Sequence, residues 1–208
     1  MSLTESGSAS EWIWCEGWLQ QPAEPRARRS VIKLGGSLLT LPGWPAAIRR
    51  LIAKEHASSR PLLVVVGGGP LVEGLRQLDA TSPQPAERMH HLAIEAMSLT
   101  AQLAAATLDL PLSTTLDPRQ PAVLNLARSP DGMAAIAALP QSWSVTSDSI
   151  AAAVAGSTAA ELLLVKRAAP TASSISELAS SGWVDRSFEA ACRQVPGLRW
   201  TALAGSSS

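Results

Sequence analysis

Lysine is scarce in this 208-residue chain: Lys33, Lys54 and Lys166 are the only three among 17 basic residues. Those 17 cancel against 17 acidic residues, leaving no net charge. No basic stripe marks a nucleic-acid surface, and no polybasic or amphipathic segment marks a membrane surface. Cysteine is scarcer still. Cys15 and Cys192 stand far apart, with neither metal-type spacing nor a disulfide framework, which suits a reducing cytoplasm. Only His56, His90 and His91 are histidines, so a histidine metal centre is not expected, and no metal held by protein ligands. No apolar run is long enough to cross a bilayer, and no signal-peptide pattern precedes the fold.

Familiar catalytic signatures are missing too. A P-loop needs G-x-x-x-x-G-K followed by Ser or Thr, which occurs nowhere. A Rossmann fingerprint would need glycine where Val72 stands. There is no G-x-S-x-G elbow of the hydrolase type. Hydrophobic residues make up 46% of the chain, enough for one sizeable domain with its own core, or for two small lobes.

Against these absences stands Val31-Ile-Lys-Leu-Gly-Gly-Ser-Leu-Leu39. It reads as a short buried strand that turns sharply at Gly35-Gly36 and leaves bare backbone N–H groups beside Lys33. A cation next to exposed N–H groups at a strand's carboxyl end favours phosphate. The plainer alternative is a buried strand whose lysine snorkels out past a loop.

Taken in order, residues 1–10 are polar and small and read as a tail. Glu11-Trp-Ile-Trp-Cys-Glu-Gly-Trp18 packs three tryptophans into eight residues, which suits an edge strand or strap on the main domain, or less readily a partner surface. Residues 20–29 read as a linker. Helical spacing follows over 42–57. Pro61-Leu-Leu-Val-Val-Val-Gly-Gly-Gly-Pro70 has the continuous apolar run of a parallel strand buried on both faces, ending in three glycines. Residues 71–78 are helical, giving the strand–helix alternation of a doubly wound α/β sheet.

Residues 88–108 form a long helix rich in Ala, Leu and Met, an oligomer interface or plain core packing. Residues 111–126 hold a loop and a short strand, which 133–139 is expected to continue. Trp143 to Ala155 is a polar turn opening an alanine-rich helix. Glu161-Leu-Leu-Leu-Val-Lys-Arg167 is a second buried strand ending in lysine. A small helix over 173–181 and a last helix after Phe188 follow, and 202–208 reads as a tail.

In an open parallel sheet, turns after strands gather at the carboxyl edge, where ligands bind. A positive-φ turn explains one or two of Gly67, Gly68 and Gly69, and three in a row favour a ligand. Asp148, just before a helix, suits an N-cap. If the sheet brings Lys33 and Lys166 together, a carboxylate between them could instead hold both ammonium groups towards a transferring phosphoryl group. His90 and His91 point in different directions, so at most one faces a site.

These stretches, with the Ser147-Asp-Ser-Ile-Ala-Ala152 helix start, resemble the amino-acid kinase superfamily over most of the chain. His91-Leu-Ala-Ile-Glu-Ala-Met97, Ser142 to Ser149 and Val184-Asp-Arg-Ser-Phe188 look like the aminomethylfuran phosphate kinases of methanofuran biosynthesis. The resemblance implies an α/β fold, a three-layer αβα sandwich around a mainly parallel sheet, occupying 30–201 behind a Trp-rich strap over 1–29. It implies a kinase transferring phosphoryl from ATP, with Mg2+, to a small phosphate or acid acceptor, in a homo-oligomer.

By position, Lys33, Asp148 and Lys166 would be catalytic. Gly35, Gly36, Ser37 and Lys166 would bind the nucleotide. Gly67, Gly68, Gly69 and His91 would bind the acceptor. The chain departs from the family after Lys166, where Arg-Ala-Ala-Pro-Thr171 replaces an acidic, tyrosine-bearing nucleoside segment. A non-catalytic ligand-binding or assembly protein that kept the fold is the alternative.

Overall fold

The computed structural model describes residues 12–22, 27–57 and 60–204. The polar tail expected over 1–10, the middle of the expected linker and the last residues of the C-terminal tail lie outside them. Seven described strands form one sheet: β1 (Trp14–Gln20), β2 (Ser30–Leu34), β3 (Leu62–Val66), β4 (Leu112–Ser113), β5 (Ala122–Leu124), β6 (Glu161–Lys166) and β7 (Leu198–Leu203). Their spatial order is β1-β7-β6-β2-β3-β5-β4. Every neighbouring pair is parallel except the β1–β7 pair at one edge, which is antiparallel.

The central strands are apolar because both faces are covered. Every residue of β2 and β3 is buried. Alternation then divides their side chains between two cores. On one face Val31, Val65, Leu162 and Leu164 pack against α5 (Ser147–Ser157) and Phe188, the first residue of α7 (Phe188–Ala191). On the other, Ile32, Leu34, Val64 and Leu163 pack against α1 (Trp44–His56). The helices α2 (Gly69–Thr81), α3 (Ala86–Leu108), α4 (Pro130–Ile136) and α6 (Ile175–Ser180) complete the layers. The architecture is the expected three-layer α/β sandwich. No described helix is long and apolar enough to cross a membrane.

Two features place the site. The chain leaves β2 for β3 on one side, while β6 returns on the other, so strand order reverses at β2. In open α/β sheets the carboxyl ends at such a reversal form the ligand crevice. The second feature is α5, whose Ala151, Ala152 and Ala155 are fully buried. Small side chains let this helix lie close to the sheet, carrying its N-terminus to the ends of β2 and β6.

Three sequence expectations change. Residues 133–139 do not continue a strand: α4 occupies Pro130–Ile136, capped by Ser129, whose Oγ accepts from the Gly132 N–H at 3.0 Å. Ser-Pro-Asp is a helix start with its cap and its proline at the first position. The tail expected from residue 202 begins later, because β7 runs through Leu203 and buries Ala202 between β6 and β1. The tryptophan-rich segment is an edge strand, one of the two forms expected of it, and what changes is the bound, since its pairing with β7 extends the main sheet outside 30–201. Trp12 Nε1 donates to the Pro42 carbonyl at 3.0 Å and its ring meets Trp14 edge-on at 5.4 Å.

The close seating of α5 makes a prediction. Ala151→Leu should overpack the helix–sheet contact and destabilise the protein by about 1–3 kcal/mol, read as a lower urea midpoint. An unchanged midpoint would show that α5 has room to spare.

Candidate active site

Lys33 pairs in register with Leu164 of the adjacent parallel strand, and Lys166 lies two residues further along that strand. Both lysines therefore project from the same face, near the carboxyl edge. The N-terminus of α5 reaches the same point. Its cap is Thr146, whose Oγ1 accepts from the Asp148 N–H at 3.3 Å, so Asp148 is not the cap that its position suggested. Its carboxylate turns to the lysines instead. Lys33 Nζ lies 2.8 Å from Oδ1, and Lys166 Nζ lies 2.7 Å from Oδ2. Lys166 also donates to the Trp183 carbonyl at 2.6 Å and stands 4.9 Å from the centre of that indole ring.

Lys33 and Asp148 are each only 5% exposed. Burying charge is costly unless it is paired, and here one carboxylate serves two ammonium groups. Burial works to raise the Asp148 pKa, but Lys33 and Lys166 outweigh it and hold the carboxyl below its usual range. For Lys166, burial and then the neighbouring Lys33 lower the ammonium's pKa to about 8, against the pull of Asp148. The group is thus a cation poised to gain from an anion.

Asp185 holds this end of α5 in place. Its Oδ2 accepts from Thr146 N–H at 2.9 Å, Thr146 Oγ1 at 2.7 Å and Ser149 N–H at 3.0 Å. Its Oδ1 accepts from the Ser149 hydroxyl and from Ser187 N–H at 3.0 Å. A carboxylate at a helix N-terminus is favoured by the orphan N–H groups and the dipole. Sequence reasoning gave Asp185 no role, although it sits in the Val184–Phe188 stretch that carried part of the resemblance. Its partners Thr146 and Ser149 lie more than thirty residues away, beyond any local cap pattern.

The glycine turns meet each other. The Gly35 N–H is tied to the Val165 carbonyl at 3.0 Å and that of Gly67 to Leu34 at 2.9 Å, so neither donates to a ligand. Gly36 and Ser37 open a 3-10 turn (Gly36–Thr40), whose first N–H groups have no intrahelical acceptor. A Cβ on Gly36 would stand 2.2 Å from the backbone N of Gly69, and one on Gly68 2.1 Å from Val72 Cγ2. Gly69 itself has φ +52°. A Cβ on Gly67 would stand 2.9 Å from the backbone N of Gly36, so each of the three glycines in a row has a reason within the fold, beside any role towards a ligand.

Two cavities meet here. A smaller one of about 160 Å³ is floored by Gly36, Ser37 and Gly67–Gly69, and His90 and Trp143 line it. A larger one of about 570 Å³ contains Asp148, Lys166, Trp183 and Asp185. Trp143 and Thr146 border both. Of the paired histidines, His90 lines the smaller cavity. His91, the residue expected there, is exposed, and its Nδ1 lies 2.8 Å from the Glu87 carbonyl one turn back in α3. Adjacent positions on a helix diverge by about 100°, and packing against the cavity selected the other one. Burial, reinforced by His91, lowers the pKa of His90, opposed by a hydrogen bond with the Ser142 backbone. Among the described residues no cluster of His, Cys, Asp or Glu is arranged to hold a metal ion.

A family model described as the amino acid kinase family matches residues 28–168. The chain belongs to the amino acid kinase family. Its match takes in Lys33, both glycine turns, Asp148 and Lys166, and ends before Trp183 and Asp185. Among solved structures, a UMP kinase from Ureaplasma parvum is similar with 13% identity and a TM-score of 0.54, over 84% of this chain and 99% of that one. A UMP kinase from Bacillus anthracis aligns at 14% identity and TM-score 0.51, over 69% of this chain and 66% of the other. A uridylate kinase from Archaeoglobus fulgidus aligns at 19% identity and TM-score 0.45, over 67% and 62%. The chain thus spans less than two thirds of the length of these last two. No curated protein matches it.

Two outcomes follow from the electrostatics of this amino acid kinase family member. Replacing Asp185 with Ala removes several charge-assisted bonds at once and should cost at least about 1.5–3 kcal/mol in urea unfolding; a loss under half of that would show that α5 holds its own start. Lys166 releases its proton at about 8 when folded, against 10.5 for an ordinary lysine. The unfolded chain therefore binds more protons between these values, and this group's contribution to stability rises with pH across that window. Wild-type stability relative to Lys166→Met should climb from about pH 8 to pH 10, and a flat difference would contradict the buried charge.

Proposed function

We propose that this chain is an ATP-dependent kinase acting on a small phosphate monoester. The observation that carries the reading is the Lys33–Asp148–Lys166 cluster at the junction of two cavities, one large enough for a nucleotide and one smaller. Phosphoryl transfer asks a protein mainly for positioning and for positive charge around the moving group. The larger cavity, with Lys166 on its wall, receives ATP. The smaller one receives the acceptor, with its phosphate at the glycine turns. An acceptor oxygen attacks the γ-phosphorus as the bond to the bridging oxygen breaks and ADP leaves with the electron pair.

Asp148 keeps the two ammonium groups directed at that point and is not itself a base. Both of its oxygens face lysines, so Asp148 is not spare for magnesium, which the nucleotide's own phosphates would hold. Magnesium entering with the nucleotide would offset the negative charge of its phosphates.

The departure after Lys166 is compensated in part. Residues 179–186 line the larger cavity where the family's acidic segment is missing, and Trp183 supplies an aromatic wall. A fold-retaining ligand-binding protein without turnover is the second reading, and that departure is what favours it. The neighbours named as UMP kinases act on a nucleotide acceptor, whereas a cavity of about 160 Å³ suits a body of one small ring. An aminomethylfuran phosphate, the acceptor suggested by the resemblance, is a phosphate monoester with one ring of this size, and it carries an ammonium group in addition. We further place the protein in the cytoplasm as a homo-oligomer. Exposed Leu92, Leu99 and Leu103 along α3 support a subunit contact on that helix.

Lys33→Ala tests the assignment. It should lower kcat by about 10²–10³-fold and weaken Mg-ATP binding in calorimetric titration, with the far-ultraviolet spectrum unchanged. Turnover and binding equal to wild type would remove Lys33 from the chemistry.

A further inference from the structure

None of the side chains lining the smaller cavity is a Lys, Arg, Asp or Glu. Its floor is glycine backbone with Ser37, Thr146 and Ser147 at the edge, and its walls are Val72, Ile94, Met97, Val145 and Ile150. His90 is its one titratable group, and burial favours the neutral imidazole there. The nearby charges on α2 are turned elsewhere. Asp79 Oδ2 accepts from Trp143 Nε1 at 2.7 Å, and the Arg76 guanidinium carbon lies 4.6 Å from the Trp143 ring centre. Together they hold the indole as a fixed wall, and neither lines the cavity.

This composition separates the two ends of an acceptor. At the glycine turns an anionic group meets backbone N–H groups and the nearby lysines. Further in, a charge finds no counter-charge, and its burial is penalised. An apolar body gains by leaving water, and a planar one gains again against an indole face. Amino-acid acceptors, with an ammonium beside the reacting carboxylate, have no carboxylate to receive them.

We propose that the acceptor is the monophosphate of a small uncharged alcohol, about one ring in size, whose only charge is at the reacting end and whose body lies against Trp143. The proposal rests on the kinase reading above. A phosphate monoester with its second pKa near 6 enters largely as the dianion. Its oxygen bonds to the γ-phosphorus of ATP, the bond from that phosphorus to the bridging oxygen breaks, and the products are ADP and a diphosphate ester. No proton has to be removed, in keeping with a site whose carboxylate is already committed to two lysines.

The test compares two esters with the wild-type protein and Mg-ATP: furanylmethyl phosphate and the same ring bearing an aminomethyl group. The uncharged ester should have a kcat/KM higher by about tenfold or more. Equal values, or preference for the amine, overturn the proposal. Mg-ATP binding without transfer to the uncharged ester overturns the acceptor class while leaving the nucleotide site standing. Absence of Mg-ATP binding overturns the kinase reading itself. As a second measurement, Val72→Asp places a carboxylate on the half-buried wall and should shift the preference towards the amine by about tenfold, through KM; an unmoved preference contradicts the assigned cavity.

Discussion

One buried carboxylate between two ammonium groups organises this molecule. Asp148 makes it tolerable to keep Lys33 inside an otherwise apolar strand and to draw Lys166 under the N-terminus of α5. Without Asp148 two like charges would share a site from which water is largely excluded, and with the lysines replaced the carboxylate would be stranded there. The arrangement is poor value as a stability device, since well-packed apolar residues would do as well or better. Its use lies in the excess of cationic groups around that carboxylate, presented at the edge where the cavities join. Lys166, already pushed down to about 8 by burial and by Lys33, has the most to gain when an anion arrives.

Everything around the cluster serves its placement. Parallel register sets the lysines two residues apart on one face. Alanines let α5 approach, and Asp185 pins the helix start from a different segment of the chain. The glycine turns contribute mainly by crowding: Gly36 and Gly69 touch so closely that side chains cannot stand between them. That contact brings the first turn and the start of α2 into a single cavity floor. Trp143, clamped by Asp79 and Arg76, closes the same space from the opposite side.

Much of this was legible in the sequence because the physics is local. Unbroken apolar runs ending in lysine or glycine marked β2, β3 and β6, and alanine-rich periodicity marked α5. What was not legible depends on distant partners. β7 carries Arg199 and Trp200 within its six residues and is a strand because β6 and the chain's own beginning flank it. Asp185 pins the start of a helix that begins nearly forty residues earlier. His90 and His91 are chemically identical neighbours, and only packing decides which one faces the cavity. The glycine triplet carries a second meaning that the sequence does not separate from the first: Gly67, Gly68 and Gly69 each have a steric or backbone reason inside the protein beside any role towards a ligand.

The most direct measurement is a crystal structure of the protein with Mg2+ and a non-hydrolysable ATP analogue. The account predicts the nucleoside in the larger cavity beside Trp183, with the terminal phosphate within hydrogen-bond distance of both Lys33 Nζ and Lys166 Nζ. A nucleotide bound elsewhere, or with its terminal phosphate away from that pair, would contradict it.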